Sequence, residues 1–299
     1  MGVVIGSLWA VGITLGGAAL TALLEPRLFK KGADPGPAAK PTRGAIQIPG
    51  RDRWLYPAGP ALGLFGVALA AIVLPFGPDL IGADLGIGVF YFIVLVDFVV
   101  LGVAVGGWGS NVKTGVEGFY RIVAQLVAYV VPLGLAYIGA IMMARSLSTV
   151  KIVDAQRGLP FLLLQPLGFG LYVITGLMQS YRAPFMEPFS ASIEHGVLKV
   201  YGGWQGMLWR AALSGVLFVV AAAGAVLYLG GWRGPLLPGP VWMLLKTLAM
   251  MVFMVWVGRQ VKPLSTAKML ELSWKVFTPV GLLNVLIVGA LILLGVGPS

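Results

Sequence analysis

Lys113, Glu117, Arg121 and Gln125 recur at four-residue intervals in GGWGSNVKTGVEGFYRIVAQLVAY (106–129), between two strongly apolar runs. Steps of four put all of them on one face of a helix, and Glu117 and Arg121 stand at the i, i+4 spacing that pairs opposite charges. Asp97 sits inside the apolar run before this stripe and Lys246 inside a later one. An ionisable group within a membrane span costs roughly 2.5–3.5 kcal/mol on insertion scales, so such groups face a bundle interior or a watery cavity, where they relay protons or couple charge. Lys113 has a stem long enough to snorkel out of the span. Asp97 does not, and mid-span it is expected to be protonated or bonded across helices. Pro132, further along the helix of the stripe, is expected to leave the Ala128 carbonyl without its helical donor and to admit water or a side chain.

The chain has no cysteine and one histidine, His195. Disulfides, iron–sulfur clusters, cysteine-rich zinc sites and a haem with two histidine ligands are excluded. No glycine-rich nucleotide loop is present. The chain is therefore expected to bind no metal or flavin of its own, and His195 reads as a surface residue. No basic helix or basic-aromatic module stands outside the apolar runs, which excludes nucleic acid as a partner.

These residues must be carried by membrane helices. Of 299 residues, 58% are hydrophobic and only 11% charged, against about 25% charged in soluble domains. Hydropathy predicts an all-α polytopic membrane protein with about eight spans, near 2–24, 58–78, 85–106, 115–144, 160–180, 207–229, 240–259 and 272–296. The segments after the odd-numbered spans carry thirteen Lys and Arg, counting Arg259 at the end of the seventh span, and those after the even-numbered spans four. The positive-inside rule then puts the first set in the cytoplasm and both termini outside. Residues 1–299 read as a single transmembrane helical domain. Residues 25–57 form a cytoplasmic loop, and 181–206 a cytoplasmic interfacial or re-entrant segment. No internal repeat and no pair of broken helices is read from the sequence, which puts independent transport last.

The motifs resemble one family. GGWGSNVK (106–113) with the Arg, Ala-Gln and Tyr that follow is similar to the loop and fourth helix of the H subunit of bacterial NADH–quinone oxidoreductase, respiratory complex I. YRAPF (181–185) resembles that family's Arg-x-Pro-Phe loop. GGWRGPLLPGPVWMLLKT (230–247), SWKVFTPVGLLNVLIV (273–288) and DRWLYPAGP (52–60) continue the likeness in order. The resemblance implies an eight-helix subunit with an external N-terminus that forms much of a quinone chamber and begins a line of charged residues. It implies quinone as substrate, lined by Trp108, Arg182, Phe185, Glu187 and Glu194, and a proton or charge-coupling set with Asp97, Arg121 and Lys246, to which the spacing from Arg121 adds Glu117. The partners implied are other membrane subunits, soluble redox-arm subunits, quinone and lipid, in the bacterial cytoplasmic membrane.

The departures concern acids. The family's Ser-Tyr-Glu of helix four reads Ala128-Tyr129-Val130, its Ala-Glu before the Arg-x-Pro-Phe loop reads Met178-Gln179, and its Asp after Pro-Phe is Met186. The loop after the first span is shorter than the family's, and Glu117 stands where an apolar residue is usual. The expected function is a divergent H-type subunit, catalysing nothing alone. Two alternatives are the equivalent subunit of a hydrogenase-like ion-pumping complex and a membrane anchor that has lost quinone and proton roles.

Overall fold

A backbone surrounded by lipid must satisfy its polar groups internally, and the described residues form helices and loops with no strand. The computed structural model describes residues 2–28, 50–78, 80–186 and 200–296. The helices are α1 (Gly2–Leu28), α2 (Leu55–Ala71), α3 (Gly88–Val96), α4 (Phe98–Gly109), α5 (Lys113–Ala144), α6 (Thr149–Ala155), α7 (Phe161–Leu164), α8 (Pro166–Gln179), α9 (Gly203–Tyr228), α10 (Gly239–Gln260), α11 (Thr266–Leu272) and α12 (Thr278–Leu293). A π-helical turn, Ser273–Phe277, joins α11 to α12.

Small residues set the packing. Gly59 and Gly63 on α2 and Gly102 and Gly106 on α4 have the four-residue spacing that lets membrane helices meet backbone to backbone. A Cβ on Gly59 would stand 2.7 Å from the Gly102 carbonyl oxygen, so only glycine permits this crossing. Trp209 of α9 fills the space beside it, within 3.1 Å of where a Gly63 Cβ would be. From Ala212 to Tyr228 every residue of α9 is buried, making it the central pillar. By contrast α12 turns Leu282, Leu283, Leu286 and Leu293 outward.

The loops gather at two opposite ends. At one, Asp52 N–H donates to Gly109 O (2.8 Å) and Leu264 N–H to Pro184 O (3.0 Å), while Tyr56 Oη donates to Val200 O (2.6 Å). Asp52 also accepts from Trp54 and Leu55 N–H (2.8 Å each), which opens α2 and accounts for the first residue of DRWLYPAGP. Those two donors hold its carboxyl below the usual carboxylate range. At the other end, Val89 N–H donates to Leu147 O (3.0 Å) and Thr149 Oγ1 to Val73 O (2.7 Å). Gln156 Oε1 accepts from Gly230 N–H (2.9 Å). Successive long helices thus run alternately between these ends.

Among the described residues, five helical stretches are long and apolar enough to cross a membrane: Gly88–Gly109, Lys113–Ala144, Gly203–Tyr228, Gly239–Gln260 and Thr266–Leu293. Leu55–Ala71 is a shorter apolar helix of 17 residues. The expected span at 160–180 is instead two helices parted at Gln165 (φ −138°, ψ 66°), because Pro166 has no N–H to continue the turn. A second interruption unread in the sequence divides 88–109 at Asp97. Most of the loop expected at 25–57 and half of the segment expected at 181–206 lie outside the described residues.

Candidate functional site

The break at Asp97 is where a carboxylate enters the bundle. Asp97 N–H reaches Ile93 O at a long 3.4 Å, and Val100 N–H closes a tighter turn onto Asp97 O at 2.9 Å. The side chain leaves this junction towards α5 and α8. Its Oδ1 accepts from Tyr129 Oη at 2.8 Å and from Gln179 Nε2 at 3.2 Å. Tyr129 and Gln179 are fully buried. The Tyr181 hydroxyl meets that of Tyr129, and burial followed by the Asp97 charge pushes its phenol well above the ordinary value, so it stays neutral. Three helical segments and the start of a loop therefore converge on one acid, to which a neutral hydroxyl and a neutral amide donate.

One turn before Tyr129 on the same face of α5, Gln125 fastens the adjoining loop. Its Nε2 donates to Met178 O (2.7 Å) and Phe185 O (3.0 Å), tying the C-terminus of α8 to the Arg-x-Pro-Phe segment. The loop is held from its other side by the Leu264 N–H bond to Pro184 O. A Cβ on Gly258 of α10 would collide with the Ala183 carbonyl oxygen, so α10 and the loop touch backbone to backbone. Arg182 and Phe185 are buried within this clamp, 3% and 4% exposed.

The stripe is graded. Lys113 is almost fully exposed and lies 3.6 Å from Glu117, whose side chain is 30% exposed. Such a solvated pair contributes roughly 0.3–0.5 kcal/mol. Arg121 is half-buried and Gln125 fully buried. The line thus runs from the loop end into the bundle and arrives at Tyr129 and Asp97. Beyond it, the Ala128 carbonyl that Pro132 deprives of a donor accepts the Ser273 hydroxyl instead. Of the two replacements that the sequence allows there, water or a side chain, the π-helical turn beginning at Ser273 supplies the side chain.

Other residues singled out in the sequence fall elsewhere. Lys246 is near the opposite end, where its Nζ donates to Leu229 O and Arg233 O (2.6 Å each) and so caps the C-terminus of α9. Arg233 in turn pairs with Asp154. Trp108 is 73% exposed at the end of α4. Glu187, Glu194 and His195 lie outside the described residues. Among the described residues no group of three or more His, Cys, Asp or Glu could hold a metal ion. Sequence reasoning missed Tyr129 as a donor to Asp97 and noticed Gln179 only as a lost acid. The signal for Tyr129 was available, since it continues the four-residue step from Gln125.

A hydroxyl and an amide that donate to one carboxylate stabilise its charge without neutralising it. Both donors meet Oδ1, so a proton taken up on Oδ2 would change the charge of the site by one and leave both hydrogen bonds in place. Residues 42–289 match the family model for NADH dehydrogenase. The chain belongs to the family of NADH–quinone oxidoreductase H subunits. It is 37% identical to an H subunit of NADH–quinone oxidoreductase from Syntrophobacter fumaroxidans over 254 residues, 82% of this chain and 77% of that one. It is 35% identical to an H subunit of the same enzyme from Geobacter sulfurreducens over 258 residues, 83% and 78% of the two chains. Its fold is similar to a chain in the structure of the membrane-bound sulfane sulfur reductase, an archaeal respiratory membrane complex. That match has a TM-score of 0.81 and 19% identity, and covers 96% of this chain and 100% of that chain.

In this member of the H-type family the missing acids have different structural settings. Val130 is on the outer side of α5, 41% exposed, whereas Gln179 is buried against Asp97. At 179 an amide donates where a second carboxylate would repel. Met186 is buried at the end of the clamped loop.

Proposed function

We propose that this chain is the quinone-facing membrane subunit of an NADH–quinone oxidoreductase. It would be a multi-pass protein of the bacterial cytoplasmic membrane, with about eight spans and both termini outside. It would be assembled with other membrane subunits and with soluble redox-arm subunits that carry the flavin and metal centres. Quinone is its substrate in the sense that the chain lines the cavity; electron transfer belongs to the partners. The family match over residues 42–289, the names of its relatives and five long apolar helices support this reading. In it, the clamped loop with Arg182 and Phe185 contributes to the quinone cavity, together with Trp108, Glu187 and Glu194. Glu117 and Arg121 lead from the solvated end towards Asp97, which exchanges the coupled proton.

The observation that carries the reading is the Asp97 junction. One carboxylate is bonded to Tyr129 and Gln179, and Gln125, one turn from Tyr129, is bonded to the Phe185 carbonyl of the loop. A change in the loop when quinone is reduced would reach Asp97 through two adjacent turns of α5. Asp97→Asn tests this, because the amide oxygen still accepts while the group can no longer ionise. In membranes with normal complex content we expect electron transfer to persist and proton pumping to fail. Pumping at the wild-type ratio would overturn the assignment. A second reading, the equivalent subunit of an ion-pumping complex with another donor and acceptor, is favoured by the neutral Val130, Gln179 and Met186. Deletion of this chain that leaves NADH–quinone activity of the membranes intact and abolishes oxidation of a different donor would select it.

A further inference from the structure

The helices α5 and α8 run antiparallel, and their seam carries polar groups over most of its length. Gln125 meets Met178 O, Tyr129 and Gln179 share Asp97, and Tyr137 packs edge-on against Tyr172 with ring centroids 5.6 Å apart. Beyond them, Gly139 of α5 faces Gln165, at the break before α8, and Asn284 of α12, which also meets Gly168 of α8. A Cβ on Gly139 would collide with Gln165 Oε1 and stand 2.7 Å from Asn284 Nδ2. One on Gly168 would stand 2.8 Å from the same Nδ2. The Asn284 amide is therefore lodged between two glycines, and it is the one polar side chain in α12 after Thr278.

Gln165 and Asn284 are each 1% exposed. Yet Gln165 Nε2, Gln165 Oε1 and Asn284 Nδ2 have no hydrogen-bond partner among the described residues. Buried amides are satisfied almost without exception, by protein or by ordered water. Their burial within this one chain puts them out of reach of a partner subunit. The two amides flank the same point without bonding each other, which is the arrangement a bridging molecule requires. A metal ion does not suit the site, because its donors are neutral amides and no carboxylate is at hand to compensate the charge.

We propose that one water molecule is bound between Gln165 and Asn284 beside Gly139, accepting from Asn284 Nδ2 and donating to Gln165 Oε1, and that it forms the end of the α5–α8 seam remote from the Arg-x-Pro-Phe loop. The site stands on geometry alone. Its role as the outlet of a proton line rests on the reading that Asp97 exchanges a proton. Glycine at 139 and 168 lets the two amides lie against the helix backbones, where any Cβ would collide with them.

A cryo-EM map of the assembled complex at a resolution that shows ordered water tests the site. A density peak within hydrogen-bond distance of both amides is expected. Resolved amides with no peak, or a direct Gln165–Asn284 bond, would overturn it. Gly139→Ala then drives a methyl group against Gln165 Oε1 and Asn284 Nδ2 and displaces the amides from the bridging arrangement. Pumping per electron should fall severalfold at unchanged electron transfer, and Gln165→Met, which removes the polar end at similar length, should do the same if the first variant fails to assemble. Undiminished pumping in an assembled variant would remove the water from the line. These outcomes separate from failure of the Asp97 reading, since wild-type pumping in Asp97→Asn would leave the density peak in place.

Discussion

Ser273 donates its hydroxyl to the Ala128 carbonyl, the acceptor that Pro132 leaves unserved four residues further along α5. One helix thus repairs another. Removing the hydroxyl leaves a buried backbone oxygen unsatisfied, at about 1–3 kcal/mol. Ser273→Ala should lower the thermal unfolding temperature of the purified complex, and Pro132→Ala, which restores an N–H, should offset much of the loss. A double-mutant cycle read by thermal unfolding checks it. Additive effects would mean that the two residues do not share this carbonyl.

Gln125 holds two carbonyls from two segments with one amide nitrogen. Gln125→Leu keeps the volume and removes both bonds; Met178 O still accepts from Tyr181 N–H (3.1 Å), so the loss falls mainly on Phe185 O, at about 1–3 kcal/mol. The effect should be local. Hydrogen exchange of residues 181–186 should accelerate while α9, packed elsewhere, keeps its protection. Uniform loss of protection would make Gln125 a general packing residue rather than the clamp of the loop.

Lys246 illustrates what position in a sequence conceals. A lysine inside an apolar span reads as a charge-coupling residue, yet its ammonium caps Leu229 O and Arg233 O where α9 ends. A cation at a helix C-terminus complements the helix dipole, worth roughly 0.3–1 kcal/mol, on top of its hydrogen bonds. Lys246→Met should therefore lower thermal stability and leave the ratio of protons pumped to electrons transferred unchanged in assembled complex. A lowered ratio at unchanged stability would return Lys246 to the coupling route.

The membrane class, the stripe on α5, the depth of Asp97 and the exposed carbonyl before Pro132 are legible because each follows from spacing along one helix. Helical periodicity says which residues share a face and where a proline removes a donor. It does not say which neighbouring helix supplies the partner. Tyr129, Gln179 and Ser273 are therefore visible as residues and invisible as donors. The breaks at Asp97 and Gln165 have weaker signals. Gln165 precedes a proline, which favours an extended conformation, but Asp97 stands in an apolar run with no proline or glycine within four residues, and its break is set by tertiary bonds to α5 and α8.

Glu117 stands at the solvated end of the stripe, whereas Asp97 is bonded to buried side chains at its inner end. It is twelve positions before Tyr129 on α5, about 18 Å along the axis, and 3.6 Å from a lysine that is almost fully solvated. If the stripe conducts charge inward, Glu117 acts at its mouth, where water already exchanges protons, so its loss should slow the process without abolishing it. Glu117→Gln keeps shape and hydrogen bonding while removing the charge. We expect normal complex content, electron transfer close to wild type, and a partial fall in pumping that is smaller than in Asp97→Asn. Electron transfer and pumping measured separately on the same membranes check this. Both at wild-type levels would make Glu117 a local ion-pair partner and confine the coupling role to the buried end of the stripe.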